Sequence, residues 1–228
     1  MKKILIAMLL VFAVTGISNA QNHTSFKPSL QVIARGSYSV PLSHQDFKDN
    51  VSGFPGAQIE LAYDFSPCWG VYGNLSADFI SAKNSTLTTG GTTTTQKTAM
   101  QFPVFIGPRY YINMKNAHLW KIYADVGAGL YGTKPGDITT TTSLGTSTTT
   151  QDANSQFGFN AGAGANVVVG SRMIVTFGAK YHFVMKSSDA LVSGTTTDVN
   201  GVSSSYSISK DLSEYSYLQF NAGVGFRF

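Results

Sequence analysis

The sequence has few charges, one cysteine and no long apolar run beyond its N-terminal segment. Charged residues make up 12% of the chain, about half of the roughly 25% usual in soluble proteins. Cys68 excludes an internal disulfide and a cysteine-rich metal site, and we interpret it as a tolerated thiol in a turn. No internal segment is long and apolar enough for a transmembrane helix. Few charges without such a helix is typical of a membrane β-barrel, in which half of each strand faces lipid.

The first residues have the pattern of a secretory signal peptide. Two lysines precede an apolar stretch from Ile4 to Val14, and small residues lead up to Ala20. This stretch is too short to span a bilayer, so we expect cleavage after Ala20. Without the two lysines the formal net charge falls from +4 to +2, and no basic stripe suggests a nucleic-acid partner. The expected organisation is a signal peptide at 1–20, a periplasmic extension at 21–28 and a barrel domain at 29–228.

Eight segments alternate between apolar and polar residues, the period-two pattern of a strand with two different faces. They lie near Ser29–Val40, Gly56–Phe65, Trp69–Ala82, Thr98–Asn113, Leu119–Tyr131, Gln156–Val169, Met173–Met185 and Ser213–Phe228. Short turns at 66–68, 114–118 and 170–172 alternate with long loops at 41–55, 83–97, 132–155 and 186–212. In outer-membrane barrels the short turns are periplasmic and the long loops extracellular. We therefore predict an all-β fold, an eight-stranded antiparallel transmembrane barrel with up-and-down topology.

Three of the long loops are rich in threonine, serine and glycine, at 88–95, 139–150 and 193–207. Such tracts have too little apolar surface to order themselves. Threonine also has a high β-propensity, however, and could continue the strands as hairpins above the membrane. The sequence leaves both alternatives open.

The placement of charge predicts which face of each strand meets lipid. The apolar register carries no charge and includes Leu30, Val32, Ala34, Ile59, Leu61, Tyr63, Val71, Leu75, Phe79, Phe102, Val104, Ile106, Ile122, Ala124, Val126, Phe159, Ala161, Val167, Val175, Phe177, Tyr181, Phe220, Val224 and Phe228. A water-facing barrel would scatter charges over its outer face, so we assign this register to lipid. Aromatic residues gather near both ends of the strands, as in the aromatic girdles of membrane barrels.

The opposite register contains the charged residues and is predicted to face the lumen. We expect a lumen charge network of Arg35, Glu60, Asp78, Arg109, Lys121, Asp125, Lys180, His182 and Arg227, with Asp64 in the same register. An eight-stranded barrel is filled by side chains, and buried charges require partners. We therefore interpret the network as a paired polar core. A gated, low-conductance channel lined by the same residues is the alternative.

Other motifs do not support a catalytic, cofactor-binding or metal site. The segment 127–132 matches a dinucleotide-binding glycine pattern, but no helix follows to meet the pyrophosphate. His182 with Asp125 or Asp78 and a serine would resemble a hydrolytic triad, yet His182 is in the inward register. The histidines at 23, 44 and 118 have no metal-ligand spacing. We expect no enzyme activity and no cofactor.

Four segments carry a resemblance to a known family. They are Phe102-Pro-Val-Phe-Ile-Gly-Pro-Arg-Tyr-Tyr111, Tyr123-Ala-Asp-Val-Gly-Ala-Gly-Leu130, Phe157-Gly-Phe-Asn-Ala-Gly-Ala-Gly164 and the terminal strand 217–228. In order and spacing they resemble the small outer-membrane β-barrels that include outer membrane protein X and the membrane domain of outer membrane protein A. The resemblance implies an outer-membrane location. It also implies that Phe220, Phe226 and Phe228 belong to the C-terminal signal read by the barrel-assembly machinery.

The expected function is a structural or surface-interaction role, in adhesion or in the cell envelope, through the Thr/Ser-rich extracellular loops. A small porin-like channel is the second hypothesis, and a lipid-modifying outer-membrane enzyme is the third. The expected partners are outer-membrane lipid and lipopolysaccharide, the barrel-assembly machinery during insertion, and an extracellular ligand bound by the loops.

Overall fold

The computed structural model describes residues 27–42, 45–83, 85–112 and 120–228, and the described residues are almost all in strands. In chain order the elements are β1 (Ser29–Pro41), α1 (Gln45–Asn50), β2 (Phe54–Asp64), β3 (Trp69–Ile80), β4 (Thr86–Thr89), β5 (Thr92–Gln96), β6 (Ala99–Ile112), β7 (Trp120–Lys134), β8 (Ile138–Thr142), β9 (Gly145–Gln151), β10 (Asn154–Val169), β11 (Met173–Val184), β12 (Ser187–Thr197), β13 (Ser203–Leu212) and β14 (Tyr215–Arg227). The predicted signal peptide, the turn 114–118 and the histidines at 23, 44 and 118 lie outside the described residues.

Eight strands close into an antiparallel barrel in the order β1-β14-β11-β10-β7-β6-β3-β2. Each strand matches a predicted segment to within a few residues. The last strand closes the barrel against the first, since the amide of Phe228 donates to the carbonyl oxygen of Leu30 at 2.8 Å. The predicted fold is therefore confirmed, including the closing role of the C-terminal strand.

The two faces of the barrel wall follow the predicted registers. Val104 and Ile106 on β6 are 52% and 68% exposed, whereas Phe105 between them is buried in the lumen. The same alternation runs along the other barrel strands, with apolar residues outward and mostly polar residues or tyrosines inward. An apolar outer face with no charge can meet lipid at no desolvation cost.

The three Thr/Ser-rich loops form hairpins that join in a second sheet. The hairpins are β4–β5, β8–β9 and β12–β13, and they pair side by side in the order β13-β12-β9-β8-β5-β4. Each surface strand follows or precedes a barrel strand after a few residues, so this surface sheet continues six of the eight barrel strands beyond the loop-side rim. Of the two alternatives, the hairpins are the one that the structure shows.

The remaining long loop lies over the loop-side mouth of the lumen. It contains the short helix α1, whose Phe47 packs against a cluster of Phe54, Tyr131, Val184 and Tyr217. The carbonyl of Asn50 accepts the amide of Lys83 at 2.8 Å, which ties the helix to the end of β3. This apolar cap covers the lumen from the loop side. No helix among the described residues is long and apolar enough to cross a membrane.

Candidate functional site in the lumen and the surface sheet

Arg109 is at the centre of a buried ion-pair cluster in the lumen. Its Nη1 and Nη2 atoms donate to Oε1 and Oε2 of Glu60 at 2.7 and 2.9 Å. Its Nη2 atom also donates to Oδ2 of Asp125 at 2.8 Å, and all three side chains are fully buried. Alternation places the three residues inward on β2, β6 and β7. Such a fork of charge-assisted hydrogen bonds fixes the carboxylates in position.

Two further cations complete this central cluster. Arg35 donates to Oε1 of Glu60 at 2.7 Å, and Nζ of Lys180 lies 3.4 Å from Oδ1 of Asp125. Three cations against two carboxylates leave a formal charge of +1. Tyrosine rings surround this excess charge: Arg109 lies 4.1 Å from the ring centroid of Tyr123, and Lys180 lies 4.3 Å from that of Tyr72. The negative faces of these rings stabilise cations that have left water.

Toward the turn side, a smaller group fills the lumen around Asp64. Nε2 of Gln31 donates to its Oδ2 atom at 2.8 Å, and Nζ of Lys121 lies 3.6 Å from the same oxygen. Lys121 is also 5.1 Å from the ring centroid of Tyr111. Its side chain is 30% exposed, so this group marks the turn-side mouth of the lumen.

Toward the loop side, His182 lies in an aromatic layer beneath the cap. Its ring is stacked on Tyr217 with centroids 4.6 Å apart, and its Nδ1 atom is hydrogen-bonded to the hydroxyl of Tyr131 at 2.8 Å. Among the described residues no carboxylate is hydrogen-bonded to this ring. Asp78 is also at this level and accepts a 3.4 Å hydrogen bond from Gln219. The layer is a packed structure and does not have the geometry of a hydrolytic triad.

The predicted network thus divides into separate groups. Arg35, Glu60, Arg109, Asp125 and Lys180 meet in the central cluster. Lys121 is paired below them, and Asp78 and His182 are buried above them. Arg227 is partly exposed at the turn-side rim, where its amide donates to the carbonyl of Arg172 at 2.8 Å.

Sequence reasoning missed several residues that fill the lumen. Asp64 was assigned to the inward register but not to the network, although it is the partner of Lys121. The inward tyrosines, Tyr72, Tyr111, Tyr123, Tyr131 and Tyr217, were not predicted to contact the charges. Their alternation with lipid-facing residues is the signal that could have placed them there.

The surface sheet presents an ordered array of hydroxyl groups. The strand registers align one row across all six strands: Thr86, Thr95, Thr139, Thr148, Thr197 and Ser203. Hydroxyls of neighbouring strands are also hydrogen-bonded, as in Thr88 with Thr93 at 3.1 Å and Thr141 with Thr146 at 3.2 Å. Strands β4, β5, β8 and β9 contain no charged residue. Most of the sheet is therefore neutral and rich in hydrogen-bonding groups.

Charged residues hold the base and one tip of the surface sheet. Lys97 donates to Oδ2 of Asp137 at 3.2 Å, and this hydrogen bond lowers the pKa of the Asp137 carboxyl. At the tip of the β12–β13 hairpin, Oδ1 of Asp198 accepts the amides of Asn200 and Val202 at 2.8 and 2.9 Å. These backbone hydrogen bonds lower the pKa of Asp198. Asp198 thus orders the hairpin tip as a local cap.

An open polar pocket of about 470 Å³ lies at the base of the β4–β5 hairpin and is lined by Ser81, Ala82, Ser85, Thr95, Gln96, Lys97 and Thr98. Within the described part of the chain, no group of three or more histidine, cysteine or acidic residues could hold a metal ion.

The sequence from residue 5 to residue 228 matches the model of the outer membrane protein beta-barrel domain. The chain belongs to this family. As an outer-membrane β-barrel, it is similar to a major outer membrane protein from Thermus thermophilus, with a TM-score of 0.58 and 13% identity over 88% of this chain and 99% of that one. It is also similar to OprG from Pseudomonas aeruginosa, with a TM-score of 0.51 and 13% identity over 88% and 95% of the two chains. No curated protein matches the sequence significantly.

For this outer-membrane β-barrel, the family establishes the location. The chain lies in the outer membrane, with its short turns toward the periplasm and its surface sheet outside the cell. At this level of identity the solved structures show the shared fold alone.

Proposed function

We propose that this protein acts in surface interaction, with the surface sheet as its binding element. The observation that supports this role is the contrast between the lumen and the sheet. The lumen is filled by the central cluster and closed by the apolar cap. The sheet orders three threonine-rich hairpins outside the membrane.

The chemistry of the sheet favours a neutral, hydroxyl-rich partner such as a glycan. A row of hydroxyls that spans six strands offers many donors and acceptors in fixed positions. A polyanion or a nucleic acid would instead require clustered cations, and the charges of the surface strands are confined to the basal ends of β12 and β13. Binding should therefore depend weakly on salt, since few counterions are released.

The first test is deletion of the two hairpin segments 86–95 and 139–150. We expect cells that carry this variant to lose adhesion to immobilised neutral glycans, while insertion of the barrel is retained. Heat-modifiable gel mobility measures insertion, because a folded barrel migrates differently from the unfolded chain. Unchanged adhesion and unchanged envelope phenotypes would contradict the surface-interaction role.

The second test separates the two faces of the sheet with matched substitutions. One variant replaces Thr95, Thr139 and Thr148 with valine, which removes three hydroxyls of the six-strand row. The control replaces Thr94, Thr140 and Thr149 on the opposite face. Valine keeps the β-propensity of threonine, so both sheets should form. We expect the first variant alone to lower glycan binding, and equal binding by both would contradict the assigned face. Binding to heparin serves as the comparison with a polyanion.

A small channel is the second candidate function. It is favoured by buried polar atoms without a protein hydrogen-bond partner, among them Oδ2 of Asp78, Nε2 of His182 and Oγ1 of Thr176. Such atoms usually bind water, which a conduction path would need. The channel predicts discrete conductance steps in planar bilayers that shift with Asp125→Asn or Arg109→Gln. Silent bilayers would exclude it.

Export and insertion are further parts of the proposal. The signal peptide would be removed after Ala20, and Phe220, Phe226 and Phe228 would be read by the barrel-assembly machinery. These side chains are 50%, 55% and 68% exposed on the outer face of β14, which leaves them accessible before the barrel closes. Lipid and lipopolysaccharide would surround the wall. The proposed role needs no catalytic chemistry, and turnover of lipid A by the purified protein would contradict it.

A further inference from the structure

The surface sheet is open, and its two edge strands are β13 and β4. In the described part of the chain, β13 pairs with β12 alone and β4 pairs with β5 alone. Each edge therefore presents backbone donors and acceptors on one side that no strand of the sheet satisfies. Such edges are templates for pairing with another strand unless charges, proline or bulges protect them.

Neither edge carries a charge, a proline or a bulge in its outer part, and the four-residue length of β4 is the one protective feature there. Strand β4 has the sequence Thr-Leu-Thr-Thr, and β13 begins Ser-Ser-Ser-Tyr-Ser-Ile-Ser, with its charged residues only near the barrel. Each edge also exposes a large apolar side chain, Leu87 at 63% and Ile208 at 51%. The strand registers place Leu87 and Ile208 on the same face of the sheet.

Strand direction distinguishes between the ways in which two copies could meet. The sheet has six antiparallel strands, so β13 and β4 run in opposite directions. All copies have the same orientation in the membrane, because each is inserted from the periplasm. A two-fold axis along the membrane normal would therefore align β13 with β13, or β4 with β4, in parallel. Only β13 against β4 of a neighbouring copy continues the antiparallel ladder, which is the more stable arrangement.

We propose that copies of this protein assemble laterally in the outer membrane by pairing β13 of one copy with β4 of the next. The contact joins different edges, so it is heterologous and can extend into rings or rows. A pairing that sets Leu87 opposite Ile208 also brings the two exposed apolar side chains together on one face. Confinement of both copies to one membrane, in one orientation, raises their effective concentration, which a short strand pairing requires.

Disulfide cross-linking in native outer membranes tests this assembly. All variants carry Cys68→Ser, so that the introduced thiols are the only ones. With Leu87→Cys and Ile208→Cys together, mild oxidation should produce dimers and higher species at more than tenfold the yield of either single variant. The matched control combines Leu87→Cys with Leu144→Cys at the tip of the β8–β9 hairpin, where the side chain is 86% exposed but lies away from the edges. The dimer yield of this control measures cross-linking by random collision of copies in the membrane.

The remaining outcomes each overturn the proposal. A dimer yield from either single variant as high as that of the double variant would show like edges in contact. A cross-linked monomer would show that the two edges meet within one chain. A yield equal to that of the collision control would show no specific pairing. Heat-modifiable mobility should be unchanged in every variant, since the surface substitutions lie outside the barrel and Cys68 lies in a turn between β2 and β3.

A charge-pair experiment tests the same contact without cysteines. Lysine is a residue by which natural edge strands prevent pairing. Leu87→Lys with Ile208→Lys should reduce the assembled fraction in native membranes, measured with an amine-independent photo-cross-linker, by at least fivefold. Leu87→Lys with Ile208→Glu should restore it. Equal assembly of both variants would contradict an edge-to-edge contact.

Discussion

Arg109 and Glu60 form a two-pronged ion pair in the lumen, with Nη1 2.7 Å from Oε1 and Nη2 2.9 Å from Oε2. The two residues lie on β6 and β2, which are separated in the barrel by β3. The pair thus crosses the lumen side of β3. It connects two strands that have no backbone hydrogen bonds with each other. Removal of this ion pair should therefore lower the stability of the whole barrel.

Glu60→Gln is expected to lower the free energy of unfolding by about 3–5 kcal/mol, because it leaves buried guanidinium groups without their main carboxylate. Urea titration of the refolded protein in lipid vesicles, followed by gel mobility, measures this change. Lys121→Gln is the control. It removes a longer contact of 3.6 Å by a side chain that is 30% exposed, and Asp64 keeps its hydrogen bond from Gln31, so the loss should be clearly smaller. Equal losses would show that the central cluster has no special role.

Val104→Arg should destabilise the barrel through its lipid face. Val104 lies in the middle of β6 and is 52% exposed on the outer side. Arginine near the bilayer midplane of such barrels costs about 2–4 kcal/mol. Leu144→Arg places the same residue in water at a hairpin tip and should leave the unfolding midpoint unchanged. If both variants behave alike in vesicles, the assigned lipid face is wrong.

Gly107→Ala should impair closure of the wall between β6 and β7. A Cβ atom at residue 107 would collide with the carbonyl oxygen of Val126, so the neighbouring backbone would have to move. Gly36→Ala is the control, because nothing lies within 4 Å of its added Cβ. We expect a lower folded fraction for the first variant alone in a refolding assay. A normal yield would contradict the close approach of the two strands.

Protonation of Asp198 should loosen the tip of the β12–β13 hairpin. Its pKa is lowered below the ordinary value of 3.8 by backbone hydrogen bonds from Val202 and Asn200. A lowered pKa contributes stability that is present above the ordinary value and is lost as the pH falls through the folded-state pKa. NMR titration of the carboxyl carbon should therefore give a midpoint below 3.8.

Substitutions at Asp198 check the same cap at neutral pH. Asp198→Ala should speed hydrogen exchange of the amides of Asn200 and Val202, since their acceptor is removed. Asp198→Asn keeps an oxygen acceptor and should show much slower exchange than the alanine variant. Identical exchange in the wild type and in Asp198→Ala would show that the carboxylate does not order the tip.

The barrel could be predicted because its signals are local. Alternation fixes which residues share a face, and the absence of charge from one face identifies the lipid side. The outward orientation of Phe102, Val104 and Ile106 is predicted by their spacing in the sequence alone, without knowledge of the strands that pair with theirs. The sequence alone also assigned Glu60, Arg109 and Asp125 to the lumen, since the residues before and after each of them along the strand belong to the outward register.

The contacts between elements were not predictable in the same way. Which carboxylate meets which cation depends on the stagger of strands around the barrel, so the pairing of Lys121 with Asp64 was missed. Phe47 lies in a helix of six residues, too short for a periodic signal, yet its contacts close the lumen. The threonine tracts are equally compatible with disorder, and their neighbours in the sheet are distant in sequence.

The continuity between barrel and surface sheet has a mechanical consequence. Each surface strand is joined to a barrel strand through a few residues, and the hydrogen bonds of an antiparallel ladder are perpendicular to the strands. A pull on a hairpin tip away from the cell would therefore load many of these bonds in shear at once. A tether built in this way transmits force to the membrane-embedded wall before its own strands separate.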